Sequence, residues 1–278
     1  MSVPFALVEV IGIISGRDDS SYLNYFNPRL PKYAGGGDSY PGAYGFRLRH
    51  HFGVDQLERV CSALERNTQT RQAVLQIWDP RADMPGIDGS PTSADIPCNI
   101  SSMLKIRNGR LFWTQIMRSN DLYRGTPYNF VQFTTLQEVL AGWLDVDPGP
   151  YTHLSDSLHV YDADLNHLES VPALEIPVSV DDLRLPMSSS RTAWETLNNA
   201  VNSLIVPGLT ERELEDIATS SVERPMHNML LIISADSARR RGFHDLAIDL
   251  SQRCTNPALS LGWSRWYQRT VRRAAVSH

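Results

Sequence analysis

The stretch "ISSMLKIRNGRLFWTQIMR" constrains the fold of this chain more than any other. Apolar and polar residues alternate on both sides of Asn108-Gly109, a dipeptide that readily adopts positive φ in a tight turn. A period of two directs successive side chains to opposite faces of a sheet. We therefore predict a β-hairpin between Ile100 and Arg118, closed at Asn108-Gly109.

The sequence before residue 187 mixes strand-like and helix-like segments. Residues 71–78 form a short apolar run bounded by turn residues and predict a buried strand, whereas residues 128–144 carry apolar side chains at helical spacing and predict a core helix. Residues 154–161 and 173–180 predict further strands. Helices and strands are therefore expected to share one part of the chain.

The sequence after Pro186 predicts helices. Apolar residues recur there at intervals of three and four, at Trp194, Leu197, Val201, Leu204 and Ile205. Thr210 and Glu213 form a capping box, and residues 224–250 are long enough for two more helices. We place a domain boundary near residue 187, with residues 1–187 as one domain and residues 188–278 as a helical C-terminal extension.

Composition excludes several classes of protein. The chain is 42% hydrophobic with a formal net charge of −5, which is typical of a globular protein and argues against a dedicated nucleic-acid binder. No apolar run reaches the roughly 18 residues of a membrane span, and the start of the chain lacks the pattern of a signal peptide, so we expect a cytoplasmic protein. Cys61, Cys98 and Cys254 have spacings that fit neither a disulfide framework nor a zinc site, so we expect free thiols and no metal.

Cys98 lies just before the predicted hairpin and Arg118 lies at its end. Strand pairing would bring the two together, and a nearby cation stabilises the thiolate that a nucleophilic cysteine needs. Arg118 and Ser119 together offer a fork of donors and a hydroxyl for a phosphate. The residues alone leave the alternative open that Cys98 is only a small apolar side chain.

A longer series of motifs resembles the thymidylate synthase and pyrimidine hydroxymethylase superfamily. The family's Pro-Cys, Arg-Ser-x-Asp, Gly-x-Pro-x-Asn and His-x-Tyr motifs are matched in order by "DIPCN", "MRSND", "GTPYN" and "LHVY". Upstream, its Glu-bearing helix, Tyr-Gly turn and Arg-bearing strand are matched by "VEVIGIISG", "PGAYGFRLR" and "TRQAVLQIWDP", so that the resemblance covers about residues 5 to 178. It implies an α+β (α/β) fold, a large mixed β-sheet with covering helices, followed here by the helical C-terminal region.

The resemblance also implies a transferase with a pyrimidine nucleoside monophosphate and 5,10-methylenetetrahydrofolate as substrates. Cys98 would attack C6 of the base and make C5 a nucleophile toward the folate methylene. Glu9 and Tyr44 would organise proton transfers, because a carboxyl group in apolar surroundings favours its neutral form. Asn129 would hydrogen-bond the base.

The remaining roles concern the phosphate, the sugar and the folate. The phosphate would be held by Arg118, Ser119 and Arg71, the last donated across the interface of a homodimer. The sugar 3′-hydroxyl would be reached by His159 and Tyr161. The folate would be bound by Asp121, Gly125 and Tyr33.

Each role has a structural alternative. Glu9 could point to solvent at the edge of its helix, and His159 could be a satisfied core histidine. Tyr161 could be an ordinary strand aromatic, Asn129 a turn residue or cap, and Asp121 a member of a surface ion pair.

The sequence departs from the family pattern at several points. Gln72 replaces a second arginine, Asn99 follows the cysteine where thymidylate synthases usually have histidine, and Tyr33 is the nearest aromatic to the family's folate-pocket tryptophans. Either the sequence begins inside a longer gene product or one phosphate ligand of the family's N-terminal segment is lost. Residues 188–278 do not resemble the family's C-terminal region, whose tail closes over folate.

These departures bear on the reaction. Asn129 indicates uracil, since related enzymes acting on cytosine tend to have aspartate there, and Ser119 indicates a deoxynucleotide. We therefore expect thymidylate synthase-type methylation of dUMP, with 5-hydroxymethylation of dUMP, dCMP or CMP as the alternative.

An alternative hypothesis from another functional class is that the protein is a catalytically silent relative that binds nucleotides. The C-terminal arginines Arg253, Arg265, Arg269, Arg272 and Arg273, with their interleaved aromatics, could also contact RNA, an anionic partner or folate polyglutamate, although a solvated helix face is the simpler interpretation.

Overall fold

The computed structural model describes residues 1–169, 175 and 177–276, with the side chains of these residues except His167, Glu169 and residues 271–276. Within this range the strands are β1 (Val74–Gln76), β2 (Asn99–Arg107), β3 (Arg110–Asp121) and β4 (Asp147–His159). The helices are α1 (Val3–Ser15), α2 (Ser20–Phe26), α3 (Pro31–Ala34), α4 (Tyr44–Phe46), α5 (Gln56–Arg66), α6 (Pro80–Asp83), α7 (Thr126–Trp143), α8 (Asp162–Glu169), α9 (Met187–Leu204), α10 (Glu211–Ala218), α11 (Arg224–Arg240), α12 (His244–Arg253) and α13 (Pro257–Val276). A π-helical turn, Arg47–His51, directly follows α4.

The four strands form one mixed sheet in the order β1-β2-β3-β4. The β1–β2 and β2–β3 pairs are antiparallel, whereas β3 and β4 are parallel and are connected through α7. This architecture confirms the predicted fold, a mixed β-sheet with covering helices.

The predicted hairpin is present with the predicted turn. Arg107 and Arg110 face each other across it, and Asn108 and Gly109 have φ of 51° and 69°. Positive φ at both central residues suits a two-residue turn whose twist matches the flanking strands. The hairpin therefore fixes the register that returns Arg118 to the start of β2.

Two predicted strands differ from those observed. The strand predicted at 71–78 is confirmed only as the three residues of β1. The strand predicted at 173–180 is wrong for residues 177–180, which are not in a strand, and most of its earlier residues lie outside the described range. Pro177 cannot donate a backbone hydrogen bond to a ladder, and Ser179 instead accepts a hydrogen bond from the Asn256 side chain at 2.9 Å. The core helix at 128–144 and the strand at 154–161 correspond to α7 and β4.

The apolar helix α1 lies at the centre of the fold. Ser2 caps its N-terminus and Gly16, with φ of 72°, ends it in the left-handed conformation. The helix packs against α2, α4 and α7 and also against the C-terminal helices α9, α11 and α13. Glu9, on this helix, is half-buried as a residue, and its Oε2 atom is buried.

The chain from Met187 onward forms helices, including the predicted capping box, in which Thr210 and Glu213 bond each other's backbone and side chain. The predicted helices of residues 224–250 are α11 and α12. Trp263 is buried. The hydrophobic core continues across residue 187 without a break, and the division into two domains stays a prediction. Within the described residues, no helix has the length and apolarity needed to cross a membrane.

Candidate active site

Cys98 and Arg118 lie side by side where β2 begins and β3 nears its end. The Arg118 backbone N–H donates to the Cys98 carbonyl at 2.9 Å. The Arg118 guanidinium donates to the carbonyls of Pro97 and Ile96, each at 3.0 Å. Two of its N–H groups thus hold the segment that carries the thiol, and the others are available to an anion.

The Cys98 thiol is half-buried and its environment acts on it in two directions. Burial raises its pKa above the usual value, the positive charge of Arg118 lowers it, and the carboxylate of Asp95 raises it. Burial dominates, so the thiol is neutral near pH 7 in the free protein. A ligand that completes the site would have to favour the thiolate.

Glu9 brings a buried carboxyl group from α1. Burial raises its pKa to about 8, although a hydrogen bond from Gln132 opposes the shift. Its second oxygen, Oε2, is buried and has no hydrogen-bond partner among the described residues. The alternative of a solvent-facing glutamate is therefore wrong, and the group suits proton transfer near neutral pH.

Tyr44 is held against α1 by a close backbone approach. A Cβ atom on the next residue, Gly45, would lie 2.5 Å from the Gly12 carbonyl oxygen, so only glycine allows this contact. The Tyr44 ring stacks on Phe133 of α7 with centroids 5.9 Å apart. Burial raises the pKa of Tyr44 well above its usual value, and nearby Cys98 and Glu9 add to the shift.

Asn129 is buried on the first turns of α7. Its Nδ2 donates to Oδ1 of Asn120 at 3.0 Å, and Asn120 Nδ2 lies 2.9 Å from His153 Nε2. The other ring nitrogen of His153 lies 2.8 Å from the Tyr151 hydroxyl. Four side chains thus form one hydrogen-bonded series that begins at Asn129.

Asp121 closes the turn before α7. Its Oδ1 accepts backbone hydrogen bonds from Tyr123 at 2.7 Å and Arg124 at 2.8 Å. Oδ1 of Asp121 therefore caps the turn and does not form, among the described residues, the surface ion pair considered as an alternative. The other oxygen, Oδ2, is buried without a partner in the described part of the chain and fits a hydrogen-bond donor of a ligand.

A second cluster surrounds Arg124 next to this turn. Arg124 donates to Asp164 at 2.6 Å and to the Tyr33 hydroxyl at 2.8 Å, and its guanidinium lies 5.5 Å from the centre of the Tyr161 ring. His159 packs edge-on against Tyr161 with centroids 5.4 Å apart. Tyr33, Tyr161 and His159 therefore gather beside Asp121.

Gly125 and Ser119 occupy the ends of the same region. A Cβ on Gly125 would lie 2.9 Å from Asn120 Oδ1, so a larger residue here would have to displace the Asn120 side chain. Ser119 lies opposite Ser157 in the β3–β4 pairing.

Arg71 lies far from Cys98 of its own chain. Its side chain is exposed and precedes β1, where Val74 lies opposite Met103. Met103 is five residues along β2 from Cys98, which corresponds to about 17 Å, and Arg71 lies three residues further away.

A family model comparison decides the ancestry of this arrangement. The model described as thymidylate synthase matches residues 1–191, more than half of the chain. The chain belongs to the thymidylate synthase family.

Two phage proteins resemble the chain over more than half of its length. The deoxyuridylate hydroxymethyltransferase of Pseudomonas phage M6 is 39% identical over 164 residues, covering 58% of this chain and 45% of that protein. The protein of the same name from Bacillus phage SP01 is 36% identical over 168 residues, covering 56% and 43%. The chain therefore spans less than half the length of these two relatives.

The crystal structure of thymidylate synthase from T4 phage has the same fold. It superposes with a TM-score of 0.52 at 21% identity, covering 64% of this chain and 65% of the other.

Several polar residues around the family motifs are not apparent from the motifs themselves. Gln132 follows Asn129 by three positions, a spacing that places both on one face of α7 and could have revealed it. Asn99 is wholly buried and accepts a hydrogen bond from Gln115, whose Oε1 accepts from Ser102 and Trp113. The side-chain nitrogen of Asn99, Nδ2, has no hydrogen-bond partner among the described residues. The contact of Asn120 with His153 joins residues 33 apart, and no local pattern signals it.

Proposed function

We propose that this protein transfers a one-carbon unit from 5,10-methylenetetrahydrofolate to C5 of dUMP through a covalent adduct at Cys98. The observation that carries the proposal is the adjacency of the Cys98 thiol to the Arg118 guanidinium, within a site that also holds the buried carboxyl of Glu9. A nucleophile, an anion-binding cation and a proton carrier are the groups that such a transfer requires.

The chain's own residues suit each step. Arg118 and Ser119 would bind the phosphate, and Asn129 would donate to O4 of the base. Sulfur adds to C6 as the thiol proton leaves, and the negative charge that develops on C5 and O4 is stabilised by the Asn129 amide. Folate supplies the electrophilic carbon. Glu9, with a pKa of about 8, can release and accept protons in the same pH range as the reaction.

Two outcomes are possible once the carbon is attached. Hydride transfer from the folate gives methylation, which is the outcome expected from the resemblance, whereas addition of water gives 5-hydroxymethylation. The second candidate is favoured by a specific observation, since two of the relatives bear the name deoxyuridylate hydroxymethyltransferase.

The described residues fit folate at two places. The unpartnered Asp121 Oδ2 can accept from the pterin ring. A cleft of about 430 Å³ adjoins the start of α1 and α7 and contains Phe5, Tyr128 and Trp266. It is also lined by four arginines, at positions Arg29, Arg239, Arg240 and Arg269. Arg239 and Arg240 already pair with Asp236 at 2.8 and 2.7 Å, so Arg29 and Arg269 would mainly attract the carboxylates of the folate tail.

A homodimer would complete the phosphate site. One face of the sheet is exposed and carries large apolar side chains, Val74, Met103, Leu154 and Leu158. Such a surface is typical of a protein interface. Packing two copies through it would bring Arg71 of the partner toward a site that it cannot reach within its own chain. The expected cytoplasmic location stays a prediction.

The decisive experiment incubates the purified protein with dUMP and methylenetetrahydrofolate and follows dihydrofolate absorbance and product mass. Dihydrofolate with dTMP identifies methylation, and a mass gain of formaldehyde without dihydrofolate identifies hydroxymethylation. Cys98→Ser should abolish both. The proposed catalysis would be refuted if no turnover occurs with dUMP, UMP, dCMP and CMP and if Cys98→Ser binds nucleotide as the wild type does. That result would favour a catalytically silent relative.

Subunit mixing tests the role of Arg71. Cys98→Ser and Arg71→Ala should each be inactive, yet an equilibrated mixture should regain about a quarter of the wild-type activity through heterodimers with one intact site. No recovery from a mixture that does form heterodimers would contradict the donation of Arg71 across the interface.

A further inference from the structure

The series Asn129–Asn120–His153–Tyr151 can be ordered in only two ways. A primary amide donates through nitrogen and accepts through oxygen, and a neutral imidazole donates through one nitrogen and accepts through the other. Every link therefore fixes the direction of the next. In the observed direction Asn129 Nδ2 donates to Asn120 Oδ1 and Asn120 Nδ2 donates to His153 Nε2, which leaves the ring proton on Nδ1 toward Tyr151.

The opposite direction would turn both amides over. If Nε2 carried the proton, it would donate to Asn120 Oδ1, and Asn120 Nδ2 would then donate to Asn129 Oδ1. Ser155, 3.3 Å from Asn120 Nδ2, does not oppose either order, because a hydroxyl both donates and accepts. The ring nitrogen of His153 that carries the proton thus decides between the two directions of the series.

The direction matters because, in the proposed function, Asn129 hydrogen-bonds the base. Uracil presents an acceptor at O4 and a donor at N3, whereas cytosine presents a donor at N4 and an acceptor at N3. A side-chain amide complements one base in one orientation and the other base when it is turned over. An amide turned the wrong way faces donor with donor and acceptor with acceptor, which a buried site tolerates poorly.

We propose that His153 is a positioning residue that selects uracil over cytosine by fixing, through Asn120, the orientation of the Asn129 amide. The inference rests on the proposed function, since dUMP as substrate identifies the observed direction with uracil. His153 is itself held in place, because its ring stacks on Phe130 with centroids 5.0 Å apart and an interplanar angle of 23°. Burial lowers the pKa of His153, which is consistent with the neutral ring that the observed direction needs.

Nucleotide binding, measured by calorimetry without folate, tests the proposal. The wild type should prefer dUMP to dCMP by about 10- to 100-fold. His153→Lys can only donate and should reduce that ratio at least tenfold or reverse it, and His153→Gln, which can donate or accept, should bring it close to one. Asn120→Asp offers Asn129 only acceptors and should keep the preference for dUMP. Thr152→Ala changes an exposed side chain next to His153 on the same strand and should leave the ratio unchanged.

A second measurement does not depend on nucleotide. In nitrogen-15 NMR of histidine-labelled free protein, the His153 signals, assigned by their loss in His153→Gln, should show a proton on Nδ1 and none on Nε2. A proton on Nε2, or an unaltered dUMP to dCMP ratio in folded His153→Lys and His153→Gln, would overturn the inference. Failure of the wild type to bind any pyrimidine nucleotide would instead refute the proposed substrate, and the ring-proton measurement would still decide the direction of the series.

Discussion

Replacing Glu9 with glutamine should make the protein more stable and less active. The folded state holds this carboxyl neutral to about pH 8, whereas the unfolded chain ionises it near pH 4.5. Because the folded pKa is raised, the stability contributed by Glu9 is complete below pH 4.5 and is lost as pH rises to about 8. Keeping the group protonated at pH 7 costs roughly 3 kcal/mol, and the full loss above pH 8 is roughly 5 kcal/mol. Glutamine has a similar shape and does not titrate.

Urea unfolding of wild type and Glu9→Gln at pH 5, 7 and 8.5 measures this difference. The variant should exceed the wild type by little at pH 5, by roughly 3 kcal/mol at pH 7 and by more at pH 8.5. Its turnover should fall by about 100-fold or more because the proton carrier is gone. Glu65→Gln removes the same charge from an exposed position and should show no such pH dependence. A stability difference that stays constant between pH 5 and 8.5 would refute the reasoning.

Three further predictions follow from the site and the loop that precedes it. Cys98 should react slowly with iodoacetamide at pH 7 in the free protein because burial raises its pKa, and Arg118→Leu should slow the reaction further. A fast reaction at pH 7 would contradict the conclusion that burial affects the Cys98 pKa more than the charge of Arg118 does. Gly125→Ala should displace Asn120 and weaken dUMP binding in calorimetry, whereas Gly36→Ala, which meets no atom within 4 Å, should not. Asp83→Ala should lower the free energy of unfolding by about 3–5 kcal/mol in urea, since it leaves the buried Arg47 charge without its partner at 2.8 Å, and Asp88→Ala at an exposed turn serves as the control.

The sequence predicted those features whose causes are local. The Asn108-Gly109 turn and the Thr210–Glu213 capping box depend on neighbouring residues, and both are present. The pairing of Cys98 with Arg118 followed from the hairpin register. The sequence also suggested a strand at 173–180, where Pro177 and the hydrogen bond from Asn256 to Ser179 prevail.

Features that depend on the connection from β3 through α7 to the parallel strand β4 were not predictable from local sequence. His153 reaches Asn120 only because β4 returns parallel to β3 after α7, and nothing in either strand's own pattern encodes that pairing. The hydrogen bond between Glu9 and Gln132 likewise joins residues far apart in the chain. The family motifs identified the candidate residues at the centre of the site, but the groups that orient them come from positions outside those motifs.

The central position of α1 has a consequence for how this lineage can diverge. The helix that carries Glu9 packs against α7 and also against α9, α11 and α13, so helices that do not resemble the family help to cover the element that carries a proposed catalytic group. Replacement helices would have to present the same apolar surface to α1, or the carboxyl would hydrate and its proton affinity would fall. Selection on the reaction should therefore preserve the inward-facing residues of the C-terminal region while its outer surface drifts freely.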